Sequence, residues 1–377
     1  MMETDIPNRV VDISPDGDRL IKVNEYEDSD NVNSDNEPVL KRTGTFKVTS
    51  KILVEESTYF SGMFRTEWRE SSTEIVLKHD KAKAMEALLQ FMHGVTVAVD
   101  SLSIPDVWHL IKTADKYLFP LEKMAVWFMK WFGHQLEKKS AGDYQTLEEC
   151  EFERQLLFPC WAFDYATGFQ YLTRHLAYNM GGHITESNPT RLRETHLPPR
   201  VIQQLNAARG RLRNILHRDL FDATKNIMDS SSCKCKEYTV FYYLCELRRV
   251  DIWPMEEIST RESINTMLEW LNDFDEEKMR SKISSSAFGS KALCYRCNRS
   301  WKQIVDAAIK KVKKYFAGLC LDCMGKSKRF RLDIDGHYWR HDESRERYDE
   351  GCRVRHGEPT HYFSFMGRRE KRGLIAD

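Results

Sequence analysis

The chain reads as an α+β protein, with an N-terminal α/β domain, a mainly helical middle region and a cysteine-rich C-terminal region. Three observations predict this. Ile75 and Leu77 alternate within Glu74–Lys78 as in a half-buried strand, whereas Val107, Leu110, Ile111, Ala114, Tyr117 and Leu118 recur at helical spacing. Helical stripes continue through residues 146–230, and most of the ten cysteines cluster after residue 230. A chain of 377 residues exceeds a typical domain of about 100–200 residues, so two or three folded units are expected.

In chain order, residues 9–13 and 19–24 are short apolar runs separated by Ser14-Pro-Asp-Gly-Asp18, which predicts a β-hairpin. From Glu25 to Glu37 there are six acidic residues and no basic one. So little apolar surface cannot offset ordering entropy, and a mobile acidic insertion is expected over about 25–40. After Thr45 the pattern predicts a short helical start, a helix around Tyr59 to Arg65, the strand at 74–78, and helices from Lys81 and Pro105. Leu121, Met124, Ala125, Phe128, Met129 and Phe132 continue a helical stripe. Trp127 and Trp131 sit beside it at i, i+4, so this face is expected to pack on a neighbour. A loop at Lys138 to Asp143 is expected to end the first domain.

Within this stretch Phe46-Lys-Val, Ser57-Thr-Tyr-Phe60, Met63-Phe64, Glu70-Ser71, Ile75-Val-Leu77 and Ala114-Asp-Lys-Tyr117 succeed one another. In that order and spacing they resemble a BTB/POZ domain. The likeness covers about residues 8–137 and is to the divergent fungal branch of the family, with Val11 to Val23 as the opening hairpin. The resemblance implies a protein-binding α/β module that forms homodimers or docks a cullin-type ubiquitin-ligase scaffold. The rest of the chain would then recruit substrates.

Residues 144–230 read as helical, with apolar stripes through Leu156, Leu157 and Phe158, and later Val201, Ile202, Leu205, Leu212, Ile215, Leu216 and Leu220. Gly181-Gly182 through Pro199 divides the region, with proline at the start of the second helical group. Arg209, Arg211, Arg213 and Arg218 make one face basic, read as a solvated face.

Region 231–366 is rich in Cys and His. Cys294 and Cys297, then Cys320 and Cys323, form two C-x2-C pairs separated by twenty-two residues. Such pairs turn both thiolates toward one ion, and two of them complete the four-thiolate shell that zinc accepts. Cys233, Cys235, Cys352 and His356 offer a second four-ligand set. A crossed arrangement, with Cys233 and Cys235 joining one central pair, is also open, as are His337, His341 or His361 in place of His356. One or two zinc ions are expected, structural because four protein ligands leave no position for water or substrate. Cys150, Cys160 and Cys245 lack partners at ligand spacing and read as core. The spacer predicts a helix from Trp301 to Phe316 with Ile304, Ala307, Ala308, Val312 and Phe316 on one side. Lys302, Lys310, Lys311, Lys313 and Lys314 ring the rest, and Gly318 is its stop. The pieces Asp251-Ile-Trp-Pro254 and Gly318-Leu-Cys-Leu-Asp-Cys323 are similar to the C-terminal part of many fungal BTB-containing proteins.

No phosphate loop, nucleophile elbow, H-E-x-x-H or dinucleotide fingerprint occurs, so a non-enzymatic protein is expected. Lys plus Arg balance Asp plus Glu at 57 each, and no secretory or membrane-spanning segment is read, which predicts an intracellular protein of the nucleus or cytoplasm. The alternative is a zinc-stabilised nucleic-acid-binding or transcription-regulating protein. It rests on the lysine-ringed helix and a basic tail over 367–377, but from Met324 onward 13 Lys or Arg face 10 Asp or Glu, a thin surplus for binding phosphates.

Overall fold

Leu40–Val48 forms the strand on which the N-terminal domain is built. The computed structural model describes residues 8–26, 39–65, 74–145, 147–190, 192–230, 232–285, 293–326 and 351–356. The strands are β1 (Asn8–Asp12), β2 (Arg19–Tyr26), β3 (Leu40–Val48) and β4 (Glu74–Lys78). Their order in the sheet is β1-β3-β2-β4. β3 runs antiparallel to β2 and parallel to β1, and β4 lies parallel to β2. Ile21, Val23, Phe46, Val48, Ile75 and Leu77 are all buried, as period-2 alternation requires.

Two expectations are corrected here. The short helix expected after Thr45 is present but starts only at Ser50, residues 46–48 belonging to β3, and β1 and β2 do not pair as a hairpin because β3 lies between them. The turn at 14–18 wraps round the end of β3: Ile13 N–H and Ser14 N–H both donate to Lys47 O at 3.1 Å, and the Lys47 ammonium donates to Pro15 O. A Cβ on Gly17 would lie 2.6 Å from Val48 O, so the turn closes over that strand end only with glycine there. A two-residue turn joins adjacent strands, whereas these five residues bridge two strand spacings, about 9–10 Å.

The strand β2 extends through Tyr26, so the start of the expected acidic insertion is ordered, as are Val39 and Leu40 at its end. Residues 27–38 lie outside the described residues. Glu25 is held because its carboxylate, 2% exposed, accepts from Arg42 Nε at 2.6 Å and Ala82 N–H at 3.1 Å, with Lys81 Nζ at 3.5 Å. Burial pushes this carboxyl up, but the Arg42 guanidinium, the Ala82 N–H and Lys81 together hold it below the usual range.

Among the described residues five α-helices complete the domain: α1 (Ser50–Glu56), α2 (Thr58–Arg65), α3 (Ala82–Met92), α4 (Ile104–Lys116) and α5 (Ala125–Ala141). α3 buries Ala82, Met85, Leu88 and Leu89 and packs against β2 and β3. α4 starts at a capping box between Ser103 and Asp106 and buries the expected stripe from Val107 to Tyr117. Leu118 does not join it: φ is 53° there and the side chain is 57% exposed. α5 runs past the expected boundary to Ala141, where Gly142 at φ 97° ends it beneath a last turn carrying Lys138 and Lys139. Trp131 is fully buried and donates to Leu102 O at 2.8 Å, whereas Met129 faces outward.

The helical region consists of α6 (Glu151–Ala162), α7 (Ala166–Asn179) and α8 (Pro199–Ser230). Trp108 of α4 donates to Gln155 O at 2.9 Å and stacks on Phe158, and Phe128 of α5 stacks on Phe163, so one apolar core runs from the α/β domain into these helices. The stripe of α8 is buried from Val201 to Leu220, apart from the half-buried Ile202. Its basic face is not simply solvated, since Arg209 is 3% exposed beneath the Gly181 carbonyl. The C-terminal region follows as α9 (Lys236–Arg249), α10 (Met255–Arg261), α11 (Ile264–Asn272), α12 (Glu276–Ser285), α13 (Trp301–Tyr315) and α14 (Leu321–Lys326). No helix among the described residues is long and apolar enough to cross a membrane.

Glu25→Gln should lower unfolding stability by about 2 kcal/mol at neutral pH, because hydrogen bonds to a charged group are lost. Glu25 ionises more readily folded than unfolded, so its contribution is present above the unfolded carboxyl pKa and disappears as pH falls through the folded one. Denaturant titrations of both proteins from pH 7 downward should therefore show the gap closing in acid; a gap constant with pH would refute the assignment.

Candidate metal centres and interaction domain

The eight sequence-predicted ligand residues assemble into two groups, each with its ligand atoms within 4.8 Å of one another. Cys233, Cys235, Cys294 and Cys297 form the first, and Cys320, Cys323, Cys352 and His356 the second. The crossed arrangement is thus the one adopted, and the central four-thiolate site is corrected. α13 begins four residues after Cys297 and ends five before Cys320. A helix of 15 residues is about 22 Å long, so the two C-x2-C pairs stand at opposite ends of a rod and cannot share an ion. His337, His341 and His361 lie outside the described residues.

In the first group Cys235 caps the start of α9, and a tight turn brings Cys297 N–H and Asn298 N–H onto Cys294 O at 3.0 and 2.9 Å. Arg280 of α12 clamps the exit of that turn through Asn298 Oδ1 at 2.8 Å and Arg299 O at 2.9 Å. The Cys233 and Cys297 sulfurs lie 3.6 Å apart. In the second group the Cys323 sulfur is 3.7 Å from that of Cys352 and 3.3 Å from His356 Nε2. Sulfurs bonded tetrahedrally at about 2.3 Å to one ion stand about 3.8 Å apart, whereas a disulfide would require about 2.05 Å. All ten cysteines are free, and both donor sets fit a closed four-coordinate ion.

The electrostatics agree with that fit. Four packed donors cannot all be anionic without a cation, so they share protons unevenly. The Cys297 N–H, with neighbouring thiols, draws Cys294 down to about 6; a hydrogen bond from the Cys323 thiol, aided by His356, draws Cys320 down to about 4. Burial pushes the Cys297 thiol up, and the hydrogen bond that Cys323 donates to Cys320, together with burial, pushes the Cys323 thiol up. Each set holds a low-lying thiolate beside thiols that a metal ion would deprotonate.

The second group is seated on α7. The loop before it donates from Phe316 N–H to the Tyr178 hydroxyl at 3.2 Å and from Leu319 N–H to Thr173 Oγ1 at 2.9 Å. Gly318, at φ 102°, passes so close that an added Cβ would lie 2.2 Å from Gln170 O. Beyond Cys352, Arg353 bridges Asp322 and Asp164, and Gln170 donates to Arg355 O at 2.7 Å.

In the α/β domain the separate words noted in the sequence meet in space. Ser57 Oγ donates to Tyr117 O at 2.6 Å and accepts from Phe60 N–H at 3.2 Å, tying α2 to the end of α4. The Tyr117 ring stacks on Phe60 at 5.2 Å and meets Tyr59 edge-on at 4.9 Å. Its hydroxyl donates to the buried Asp80 at 2.8 Å, beside Lys116 on the same carboxylate. Glu70 and Ser71 lie outside the described residues. The family model of the BTB/POZ domain matches residues 33–125. The chain carries a BTB/POZ domain. No curated protein and no solved structure matches the chain. The BTB/POZ match starts after β2, so β1 and β2 complete the sheet from upstream of it.

Sequence reading missed a third cluster, in which Cys150 joins Glu153 and His175. The i, i+3 spacing of Cys150 and Glu153 carried a signal, but His175 reaches them only through the α6–α7 packing. Cys160 is fully buried and Cys245 half-buried.

Three outcomes follow. Cys297→Ser and Cys323→Ser should each remove one equivalent of bound metal and together two, read by elemental analysis; loss of a single shared equivalent would restore the central site. Metal content should fall as pH drops, because protons compete for the thiolates. Gly318→Ala should destabilise the protein by about 2–3 kcal/mol, since the added carbon meets backbone, and an unchanged denaturant midpoint would contradict the docking of that loop on α7.

Proposed function

We propose that this protein is a non-enzymatic, intracellular adaptor. Its BTB/POZ domain binds protein partners, as a homodimer or on a cullin-type ubiquitin-ligase scaffold, and two structural zinc ions hold the C-terminal region together. The match of residues 33–125 to the BTB/POZ domain carries the reading, because that domain is a protein-interaction module that often dimerises. The sheet supports it: β1 and β4 are its edges, and Val10 and Val76 on them are 62% and 47% exposed. Edge strands offer unpaired backbone groups to another chain. Thiolate and imidazole donors in closed four-ligand sets suit zinc, whose chemistry there is to fix loops rather than to activate water. The likeness to the fungal branch of the family belongs to the same reading.

The test uses the full chain, since the BTB/POZ domain shares its core with α6. Light scattering gives the assembly state, and affinity purification with mass spectrometry identifies what is bound. A dimer, or a cullin recovered in stoichiometric amount, supports the proposal. A monomer that recovers no protein partner, yet binds duplex DNA below micromolar concentration at raised salt, overturns it in favour of a nucleic-acid role.

A further inference from the structure

Glu153 lies in the first turn of α6 and is fully buried. One carboxylate oxygen, Oε1, is served twice: the Lys139 ammonium from α5 contacts it, and His175 Nε2 from α7 lies 3.4 Å away. The other, Oε2, is buried with no hydrogen-bond partner. A buried carboxylate oxygen left in this way is costly, and a group that binds it is stabilising. Cys150, half-buried at the cap of the same helix, brings its sulfur into the group, so that thiol, carboxylate and imidazole lie within 4.8 Å of one another.

The geometry points to a third metal site, formed by Cys150, Glu153 and His175, that binds a borderline divalent cation of the zinc or cobalt kind with one coordination position left open. One sulfur, one oxygen and one nitrogen donor make a ligand set that hard cations such as magnesium do not favour and that zinc and cobalt do. Three protein donors differ from the two closed sets of four, and the fourth position falls to water or an added ligand. Lys139 already offsets the carboxylate charge but serves one oxygen, so the cation takes the other. On binding, the thiol releases its proton to solvent. The site stands where α5, leaving the BTB/POZ domain, meets the first two helices of the helical region. Its occupancy therefore ties α6 to α7 beside the end of α5, and with one donor fewer it holds its ion less tightly than the other two centres.

The probe is Co²⁺, titrated into the full-length protein loaded with two equivalents of zinc, as checked by elemental analysis, so that the two closed centres are filled and the third is free. One further equivalent should bind, with a thiolate-to-cobalt charge-transfer band in the near ultraviolet and d–d bands in the visible. Cys150→Ser should abolish the charge-transfer band, and His175→Gln, at a partly exposed position, should weaken binding at least tenfold. Cys245→Ser, a cysteine outside every cluster, should change neither. Far-UV circular dichroism identifies the variants that fold, and the result is read in those; His175→Gln keeps the test open if Cys150→Ser fails to fold. Loss of the charge-transfer band in folded Cys150→Ser, or binding at least tenfold weaker in folded His175→Gln, with neither change in Cys245→Ser, supports the site. No extra equivalent in the wild-type protein, or binding with wild-type spectrum and affinity in a folded site variant, overturns it.

Discussion

The rigid separation that α13 imposes between Cys297 and Cys320 decides how the whole C-terminal region is assembled. Its apolar side, Trp301, Val305, Ala308, Ile309 and Val312, is buried, and the helix packs along α8. With that rod fixed, each cysteine pair must find its partners locally. The first turns back to the segment before α9 and so encloses α9 to α12; the second reaches forward to residues 351–356. Long closed loops add little entropy per residue, so enclosing four helices costs scarcely more than enclosing one.

The two ends of the molecule share an apolar core and differ in what is added to it. The α/β domain and the helical region are held by a continuous apolar core, with stacked rings at Tyr117, Phe128 and Phe158. Around the second ligand group Phe316, Leu319, Leu321 and Met324 extend that core, and polar bonds are added to it, from the Tyr178 and Thr173 hydroxyls to Gln170 and the Arg353 bridge. Individually such bonds contribute about 1 kcal/mol, or 1.5–3 where charged, against roughly 10–16 kcal/mol for a structural zinc site in a small peptide. An ion would therefore outweigh the hydrogen bonds that orient its ligands.

Where hydrophobic periodicity spoke directly, the elements were legible: β4, the stripe of α4 and the buried face of α8 follow from residue spacing alone. β3 was not, because Gly44 at its centre interrupts the strand pattern and the segment is stabilised by neighbours on both sides. The turn at 14–18 was legible but its topology was not, since Pro and Gly announce a reversal without saying what lies inside it. Glu25 belonged by composition to an acidic segment; only the cations of Arg42 and Lys81, brought close by folding, make it a buried anchor. The identity of the eight ligand residues was readable from spacing. Their partition was also within reach, because the helix predicted in the spacer is too long for the pairs at its ends to meet. Cys150 was unreadable as a ligand, for its partner His175 comes from the next helix.

The passage of the chain round the end of β3 bears on the order of events during synthesis. β1 and β2 emerge first, yet neither has the other as a neighbour in the finished sheet; both wait for Leu40–Val48 to come between them. β4 then joins the far side of β2 once Lys78 is available. During synthesis β1 and β2 therefore remain without their sheet neighbour until the central strand has been made, and the run that separates them from it has the charged, apolar-poor composition that resists early collapse.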